Sequence, residues 1–186
     1  MISLFKKKAP VVAPVTPVQI VRAPQPPTRR RINQKSLMTL KIWEGKVGSG
    51  GRPMLTAYLD SGGVWTIGWG HTKTARQGMM ITEDQAEALL AADLFEFETL
   101  VEQYVKVALT DNQFGALVLF AFNVGPGSES RKIDGFKTST LLKQLNLGGY
   151  EQVPTQLLRW VKDNGKVVQG LINRRNAEIA LWHSLT

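Results

Sequence analysis

Two carboxylic acids and a hydroxyl flank a segment that is rich in glycine and tryptophan. Glu44 ends a helical pattern, Asp60 lies at a turn, and Thr66 follows six residues later on a returning strand. Cleavage of a glycosidic bond needs one carboxylic acid to protonate the leaving oxygen and a carboxylate on the other side of the sugar. The residue types therefore suit glycoside hydrolysis. Taken singly, Asp60 could be only a turn former and Glu44 only a helix-end carboxylate.

Four glycines, at positions 62, 63, 68 and 70, account for much of the unusual composition of this segment. Glycine lets the backbone turn tightly and leaves open surface beside a hairpin, where a bulky ligand can lie. Strand alternation places Trp65 and Trp69 on one face of the returning strand and Thr66 on the other. The segment therefore predicts a hairpin that borders a binding site.

The elements that would position these side chains follow from hydrophobic spacing and helix caps. A helical pattern runs from Ser36 to Gly45, and residues 55–72 alternate as in a small antiparallel hairpin or three-stranded sheet. The remainder predicts helices, which begin at the capping boxes 82–85 and 110–113, run from Ser139 or Thr140 to Leu145, and cover 151–161 and 171–183. One small sheet beside a helical bundle predicts an α+β domain.

Longer stretches of the chain resemble a known family. The segments WEG and YLD-x5-T-IGWGHT are similar to the catalytic signature of the phage-type lysozymes, glycoside hydrolase family 24, and the lambdoid endolysin branch fits best. ITEDQAEALLAADL resembles the family's helix between two lobes, and LTDNQFGALVLFAFNVGPG its buried core helix. The resemblance covers about Ser36 to Leu185. It implies a lysozyme-like fold, with a small β-hairpin lobe beside a mainly helical lobe.

The resemblance also implies a role for each of the three polar side chains. Glu44 would be the proton donor, Asp60 would stay ionised beside the anomeric carbon, and Thr66 would hold the attacking water. The family precedent is inversion of the anomeric centre, for which the two carboxyl groups stand about 6.5–9.5 Å apart. Glu44, Asp60 and Thr66 are therefore the predicted catalytic residues.

One interval departs from the family pattern. Fifteen residues separate Glu44 from Asp60, more than is usual in the family, and GSGGRPM (48–54) accounts for the excess. An inserted loop need not move its ends, because the entropic cost of closing a loop grows slowly with its length. This loop borders the expected cleft as a lid, a substrate-contacting loop or a control of activity.

Other polar residues have a functional and a structural interpretation. The resemblance pairs His71 with Asp93 as a structural ion pair rather than a catalytic one. It places Asn123, Ser139 and Thr140 along the cleft as substrate-binding residues, with helix capping as the alternative. Arg174 and Glu178 stand four residues apart, and their spacing predicts a pair on a helix surface.

The positive charge is concentrated at the start of the chain. Residues 1–31 carry seven basic residues and no acid, so the other residues have sixteen basic and fifteen acidic side chains and a net charge of +1. Six of nine prolines lie in the same stretch. We expect a Pro-rich, basic, disordered extension over residues 1–33 and a catalytic domain over 34–186. The extension could bind an anionic surface, such as a membrane, lipopolysaccharide or a virion component.

Composition limits the remaining classes. There is no cysteine, and the two histidines lack the HExxH spacing, so we expect no metal and no cofactor. A nearly neutral domain argues against sequence-specific nucleic-acid binding. No apolar run approaches the roughly 20 residues of a membrane span, and prolines exclude a signal peptide or signal anchor.

The expected function is hydrolysis of the β-1,4 bond between N-acetylmuramic acid and N-acetylglucosamine in bacterial peptidoglycan. The enzyme, expected to be a monomer, would serve host lysis after holin-dependent release from the host cytoplasm, or wall digestion from the virion. Two alternatives remain open. One is a non-catalytic wall-binding virion protein on a lysozyme fold, and the other is a lytic transglycosylase, which would manage with Glu44 alone.

Overall fold

The computed structural model describes residues 29–45, 50–60 and 62–185 of the chain. The predictions for residues 1–28 lie outside this part. The described helices and strands are α1 (Gln34–Glu44), β1 (Met54–Leu59), β2 (Trp65–Gly68), α2 (Glu83–Tyr104), α3 (Asp111–Val124), α4 (Thr140–Asn146), α5 (Val153–Leu157), β3 (Lys162–Asp163), β4 (Lys166–Val167) and α6 (Gln169–His183). A small antiparallel hairpin beside a mainly helical body confirms the predicted α+β class.

Strands β1 and β2 form the predicted hairpin. They pair antiparallel, with Tyr58 opposite Thr66 and Leu59 opposite Trp65. The hairpin has two strands rather than three, and isolated bridges extend it from Thr56 to Met80 and from Ile67 to His71. The hairpin therefore presents a fixed register, in which directly opposed side chains share a face.

Helices α2 and α3 begin at the two predicted capping boxes. The side chains of Thr82 and Thr110 each accept a hydrogen bond from the backbone N–H three residues on, and the side chains of Gln85 and Gln113 accept one from the backbone N–H of the cap residue. These bonds satisfy backbone groups that a helix start leaves unpaired. Helix α3 is buried along most of its length and packs against α1, α2 and α6.

A close contact between α1 and α3 sets the position of α1. Ser36 of α1 is fully buried, and a side-chain carbon at Gly115 of α3 would overlap its Oγ and Cβ atoms. Only glycine at position 115 lets the two helices approach this closely. Since α1 ends at Glu44, the same contact helps to fix the place of that carboxyl group.

The chain before α6 differs from the prediction of a helix over residues 151–161. A 3-10 turn, Tyr150–Gln152, leads into the five-residue helix α5, and a two-residue hairpin, β3–β4, follows. Its turn residues Asn164 and Gly165 have positive φ angles of 47° and 78°. An Asn-Gly pair favours such a hairpin turn, and this signal accounts for a hairpin over 162–167.

The residues just before α1 lie against the helical body. Arg29 and Arg30 form ion pairs with Glu102 and Asp111, and Arg31 Nε lies 2.8 Å from Glu98 Oε2. The described end of the basic extension is therefore attached to α2 and to the start of α3.

No helix among the described residues has the length and apolar character needed to cross a membrane.

Candidate active site

Glu44 lies at the junction of α1, α6 and the hairpin. It is the last residue of α1, and the N–H of the following Gly45 donates to Lys41 O at 2.8 Å. Glu44 Oε1 forms an ion pair with Arg174 Nη2, at a distance of 2.7 Å. The other oxygen, Oε2, faces Gly70 closely enough that a side-chain carbon there would lie 3.4 Å away.

This arrangement leaves the carboxyl group of Glu44 accessible. Its side chain is 19% exposed, and one of its two oxygens is held by the guanidinium of Arg174. Gly70, with a φ of 85°, adds no side chain on the other flank. Oε2 is therefore the oxygen of Glu44 that Arg174 does not hold, and it is the candidate to carry the proton of a proton donor.

Asp60 is held by the turn that joins β1 to β2. Its Oδ1 accepts hydrogen bonds from the backbone N–H groups of Gly62 and Val64, at 2.9 and 2.8 Å. The turn-former interpretation is therefore correct for this oxygen. Oδ2 makes no hydrogen bond to a described residue, so one carboxylate oxygen of a rigidly held side chain remains available for chemistry.

Thr66 is buried on β2 close to the same turn. Its Oγ1 donates to Val64 O at 3.1 Å, and Val64 also gives its N–H to Asp60. The peptide groups of Val64 thus connect the hydroxyl to the carboxylate. Because the hydroxyl proton is used, the lone pairs of Oγ1 are the part that can accept a hydrogen bond from water.

The pKa of Tyr58 depends on both carboxyl groups. Its pKa is raised, first because the phenol is partly buried, and then by the negative charges of Asp60 and Glu44. A phenolate beside two carboxylates is disfavoured. Glu44 from α1 and Asp60 from the hairpin therefore both lie close enough to Tyr58 to affect its ionisation. Tyr58 is not among the residues that the sequence predicts for this site.

Behind Glu44 lies a second, buried group of charges on α6. Arg175 and Glu178 are both buried, and Arg175 Nη2 lies 2.7 Å from Glu178 Oε1. Burial raises the pKa of Glu178 to about 7, against the opposing effect of Arg175, and burial lowers the pKa of Arg175. A small cavity between the two groups is lined by Glu44, Arg174 and Glu178 together with apolar side chains of α1 and α3.

The predicted surface pair between Arg174 and Glu178 is wrong. Arg174 turns to Glu44 of α1, and Glu178 turns inward to Arg175, three residues before it. Helix periodicity allows the Arg175–Glu178 pair but cannot show the partner of Arg174, because it describes only neighbours on the same helix. The partner of Arg174 comes from an element more than a hundred residues earlier in the chain.

His71 and Asp93 lie in contact near the base of the hairpin. His71 Nδ1 is 2.7 Å from Asp93 Oδ2, and His71 Nε2 is 2.8 Å from Thr74 Oγ1. Both ring nitrogens are thus engaged by the protein, and the ring is buried. This geometry leaves no ring nitrogen to act on a substrate, and the structural role of the pair stays a prediction.

The three predicted substrate-binding residues line two depressions that share Trp160. Ser139 and Thr140 line a polar depression that also contains Asp134, Arg159 and Trp160. Ser139 caps α4, since its Oγ accepts from Leu142 N and donates to Phe136 O.

Asn123 lies beside the neighbouring depression. It lines a pocket together with Lys162 and Val168, and Trp160 lines both this pocket and the first one. Its side-chain oxygen accepts from Arg175 Nη2 at 2.8 Å. Substrate contact by these residues stays a prediction.

The inserted loop is attached where it rejoins the described chain. Trp69 Nε1 donates to Gly51 O at 2.8 Å, and a side chain at Gly45 would collide with the backbone of Gly51. Residues 46–49 lie outside the described part. The loop therefore returns directly over the end of α1, next to Glu44.

Among the described residues, no group of three or more acidic or histidine side chains could hold a metal ion.

The fold and the similarity to known proteins define a lysozyme-type glycosidase. The chain belongs to the phage lysozyme family, since the family model described as Phage lysozyme matches residues 49–178. An endolysin of Acyrthosiphon pisum secondary endosymbiont phage 1 is 40% identical over 157 residues, covering 82% of this chain and 98% of that relative. The endolysin of Bacillus phage B103 is 41% identical, and the match covers 81% of this chain but 53% of that longer relative.

Solved structures show the same fold. The muramidase domain of SpmX from Asticaccaulis excentricus superimposes with a TM-score of 0.71 at 33% identity, covering 84% of this chain and all of that domain. The family match begins five residues after Glu44. Glu44 therefore lies outside the matched range, whereas Asp60 and Thr66 lie inside it.

Proposed function

We propose that the protein is a muramidase that hydrolyses the β-1,4 bond between N-acetylmuramic acid and N-acetylglucosamine. The observation that carries the proposal is that Glu44 Oε2 of α1 faces Gly70, at the end of the hairpin whose turn holds Asp60. Membership of the phage lysozyme family and the likeness to a muramidase domain support the substrate.

In the proposed reaction Glu44 protonates the leaving glycosidic oxygen through Oε2, since Arg174 holds Oε1. Asp60 stabilises positive charge at the anomeric carbon through the oxygen that the turn leaves free. A water held by Thr66 attacks that carbon and transfers a proton to Asp60. This sequence of steps inverts the anomeric centre.

The biological setting follows from the relatives. Since two of them are phage endolysins, we propose that the protein degrades the host wall, either after holin-dependent release or as part of the virion. The basic residues 1–28 would then bind an anionic surface at the cell envelope or in the virion. Binding of the full chain and of a chain lacking residues 1–28 to anionic and neutral vesicles tests this role, and equal binding would contradict it.

Product masses from purified peptidoglycan test the reaction itself. After borohydride reduction, a muramidase yields muropeptides that end in reduced N-acetylmuramic acid. A glucosaminidase yields reduced N-acetylglucosamine instead, and a transglycosylase yields anhydro-muropeptides that resist reduction. The absence of any product, together with retained binding to the wall, would favour a non-catalytic wall-binding protein.

A further inference from the structure

Tyr58 shares one face of the hairpin with two of the proposed catalytic residues. It is directly opposite Thr66 in the β1–β2 pairing, and opposed residues in an antiparallel pair point to the same side. Asp60 stands two residues further on, where Asp60 N still donates to Val64 O at 3.0 Å, so the paired chain continues to that point. Residues two apart on an extended chain also share a face.

The phenol of Tyr58 is open to solvent and has an unused hydroxyl. The residue is 37% exposed. Among the described residues no group forms a hydrogen bond with its Oη atom, and its pKa is shifted by burial and charge alone. Tyr150 shows the contrast, because its hydroxyl donates to Ala108 O at 2.7 Å. Tyr58 thus keeps a free hydrogen-bond donor beside the cleft.

The position of this donor relative to the carboxyl groups suggests its use. Glu44 and Asp60, on opposite sides of the proposed reaction, both act on the phenol electrostatically. Burial first, and then these two charges, raise the pKa of the phenol, so it stays neutral and keeps its proton throughout the working range of a carboxylic acid pair. A neutral donor can bind a sugar oxygen without adding charge next to the carbon that becomes positive.

We propose that Tyr58 is a substrate-positioning residue, whose hydroxyl donates a hydrogen bond to an oxygen of the sugar bound between Glu44 and Asp60. The inference rests on the proposed function, since it needs a glycan in that cleft. The Tyr58 hydroxyl would give the sugar a hydrogen bond that the two carboxyl groups and Thr66 do not supply. The contact would hold the sugar at the distance from Glu44 that proton transfer requires.

Tyr58→Phe removes the hydroxyl and keeps the ring, and Tyr104→Phe is its matched control on α2. We expect Tyr58→Phe to lower kcat/KM on solubilised glycan strands about tenfold, the value of one hydrogen bond of about 1.4 kcal/mol. The control should match the wild type, and neither change should lower the unfolding midpoint. In the inactive Glu44→Gln background, Tyr58→Phe should also weaken binding of glycan strands several-fold.

Two results would overturn the inference while the proposed function stands. One is a Tyr58→Phe variant with the rate and glycan affinity of the wild type. The other is a loss of rate that is matched by a lower unfolding midpoint with unchanged glycan affinity, which would make Tyr58 a structural residue. If the wild type itself produces no reduced muramic acid ends, the proposed function fails and the inference fails with it.

Discussion

Arg174 of α6 holds Glu44 of α1 through an ion pair of 2.7 Å between Nη2 and Oε1. Both side chains are mostly buried, with 12% and 19% of their surfaces exposed. The pair joins the first and last helices of the domain at the site. It also decides which oxygen of Glu44 faces the hairpin, so the last helix controls the orientation of the proposed proton donor.

Replacing Arg174 should therefore reduce activity without abolishing the fold. A charge-assisted hydrogen bond is worth about 1.5–3 kcal/mol, so we expect Arg174→Ala to lower kcat/KM roughly 10- to 100-fold. The kcat/KM of Arg174→Lys should lie between those of the wild type and Arg174→Ala, because an ammonium keeps the charge but not the planar fork of donors. Rates on purified peptidoglycan check this, with the exposed Arg131→Ala as control. Full activity in Arg174→Ala would show that Glu44 needs no such support.

The free energy of unfolding should depend on pH through Glu178. Its pKa is raised to about 7 in the folded protein by burial, against an ordinary value of 4.5. Between these two values the folded state binds more protons than the unfolded state, so the stability associated with Glu178 falls as pH rises. Glu178→Gln cannot ionise and should lack this part of the pH dependence.

Urea unfolding of the wild type and of Glu178→Gln at pH values from about 4.5 to 7.5 measures the difference. The wild type should lose stability relative to the variant as pH rises through this window. Glu129→Gln, on an exposed loop, is the matched control and should follow the wild type. A constant difference between the wild type and Glu178→Gln would show that Glu178 ionises as readily in the fold as in the unfolded chain.

Two nested deletions should separate the extension from the domain. Arg31 Nε lies 2.8 Å from Glu98 Oε2, and the Glu98 side chain is only 1% exposed. Deleting residues 1–28 keeps this pair, whereas deleting 1–31 leaves a buried carboxylate without its cation. We expect the longer deletion alone to destabilise the domain, by about 1–2 kcal/mol because Arg31 itself is half-exposed.

Thermal unfolding of the two deletions, and of Arg31→Ala in the full chain, measures this effect. Arg31→Ala should reproduce most of the loss seen on deleting 1–31. Equal midpoints for both deletions would mean that the contacts of Arg29, Arg30 and Arg31 contribute nothing to stability.

The pair His71–Asp93 should matter for stability and little for catalysis. Asp93→Asn keeps the shape of the side chain and removes the charge next to a buried imidazole, and we expect a loss of about 1–3 kcal/mol. Glu96→Gln is the matched control, because Glu96 pairs with Lys73 on the exposed side of the same helix and should be nearly neutral. Activity per folded molecule should stay within about twofold of the wild type. A large loss of activity in a well-folded Asp93→Asn would instead indicate a catalytic role.

The sequence predicts features that are decided by residues close together in the chain, and it does not predict contacts between distant segments. Local signals were sufficient for the capping boxes at Thr82 and Thr110 and for the end of α1 at Glu44, because each is decided within one helical turn. The short hairpin β3–β4 was missed although Asn164-Gly165 marks it. The charges on α6 were assigned wrongly, since the partner of Arg174 is brought in by packing across α3. Tyr58 was overlooked because its significance depends on Glu44, which a separate helix supplies.

The most direct test of the account is the rate of peptidoglycan cleavage by Glu44→Gln and by Asp60→Asn, with Glu129→Gln on an exposed loop as a matched control. Each catalytic variant keeps the size of the side chain and removes its acid. We predict that either change lowers the rate by about 10²–10⁴-fold, the usual contribution of a positioned acid or base, with the unfolding midpoint preserved. Cleavage at the wild-type rate by a folded Glu44→Gln or Asp60→Asn variant would contradict the assignment of these two carboxyl groups.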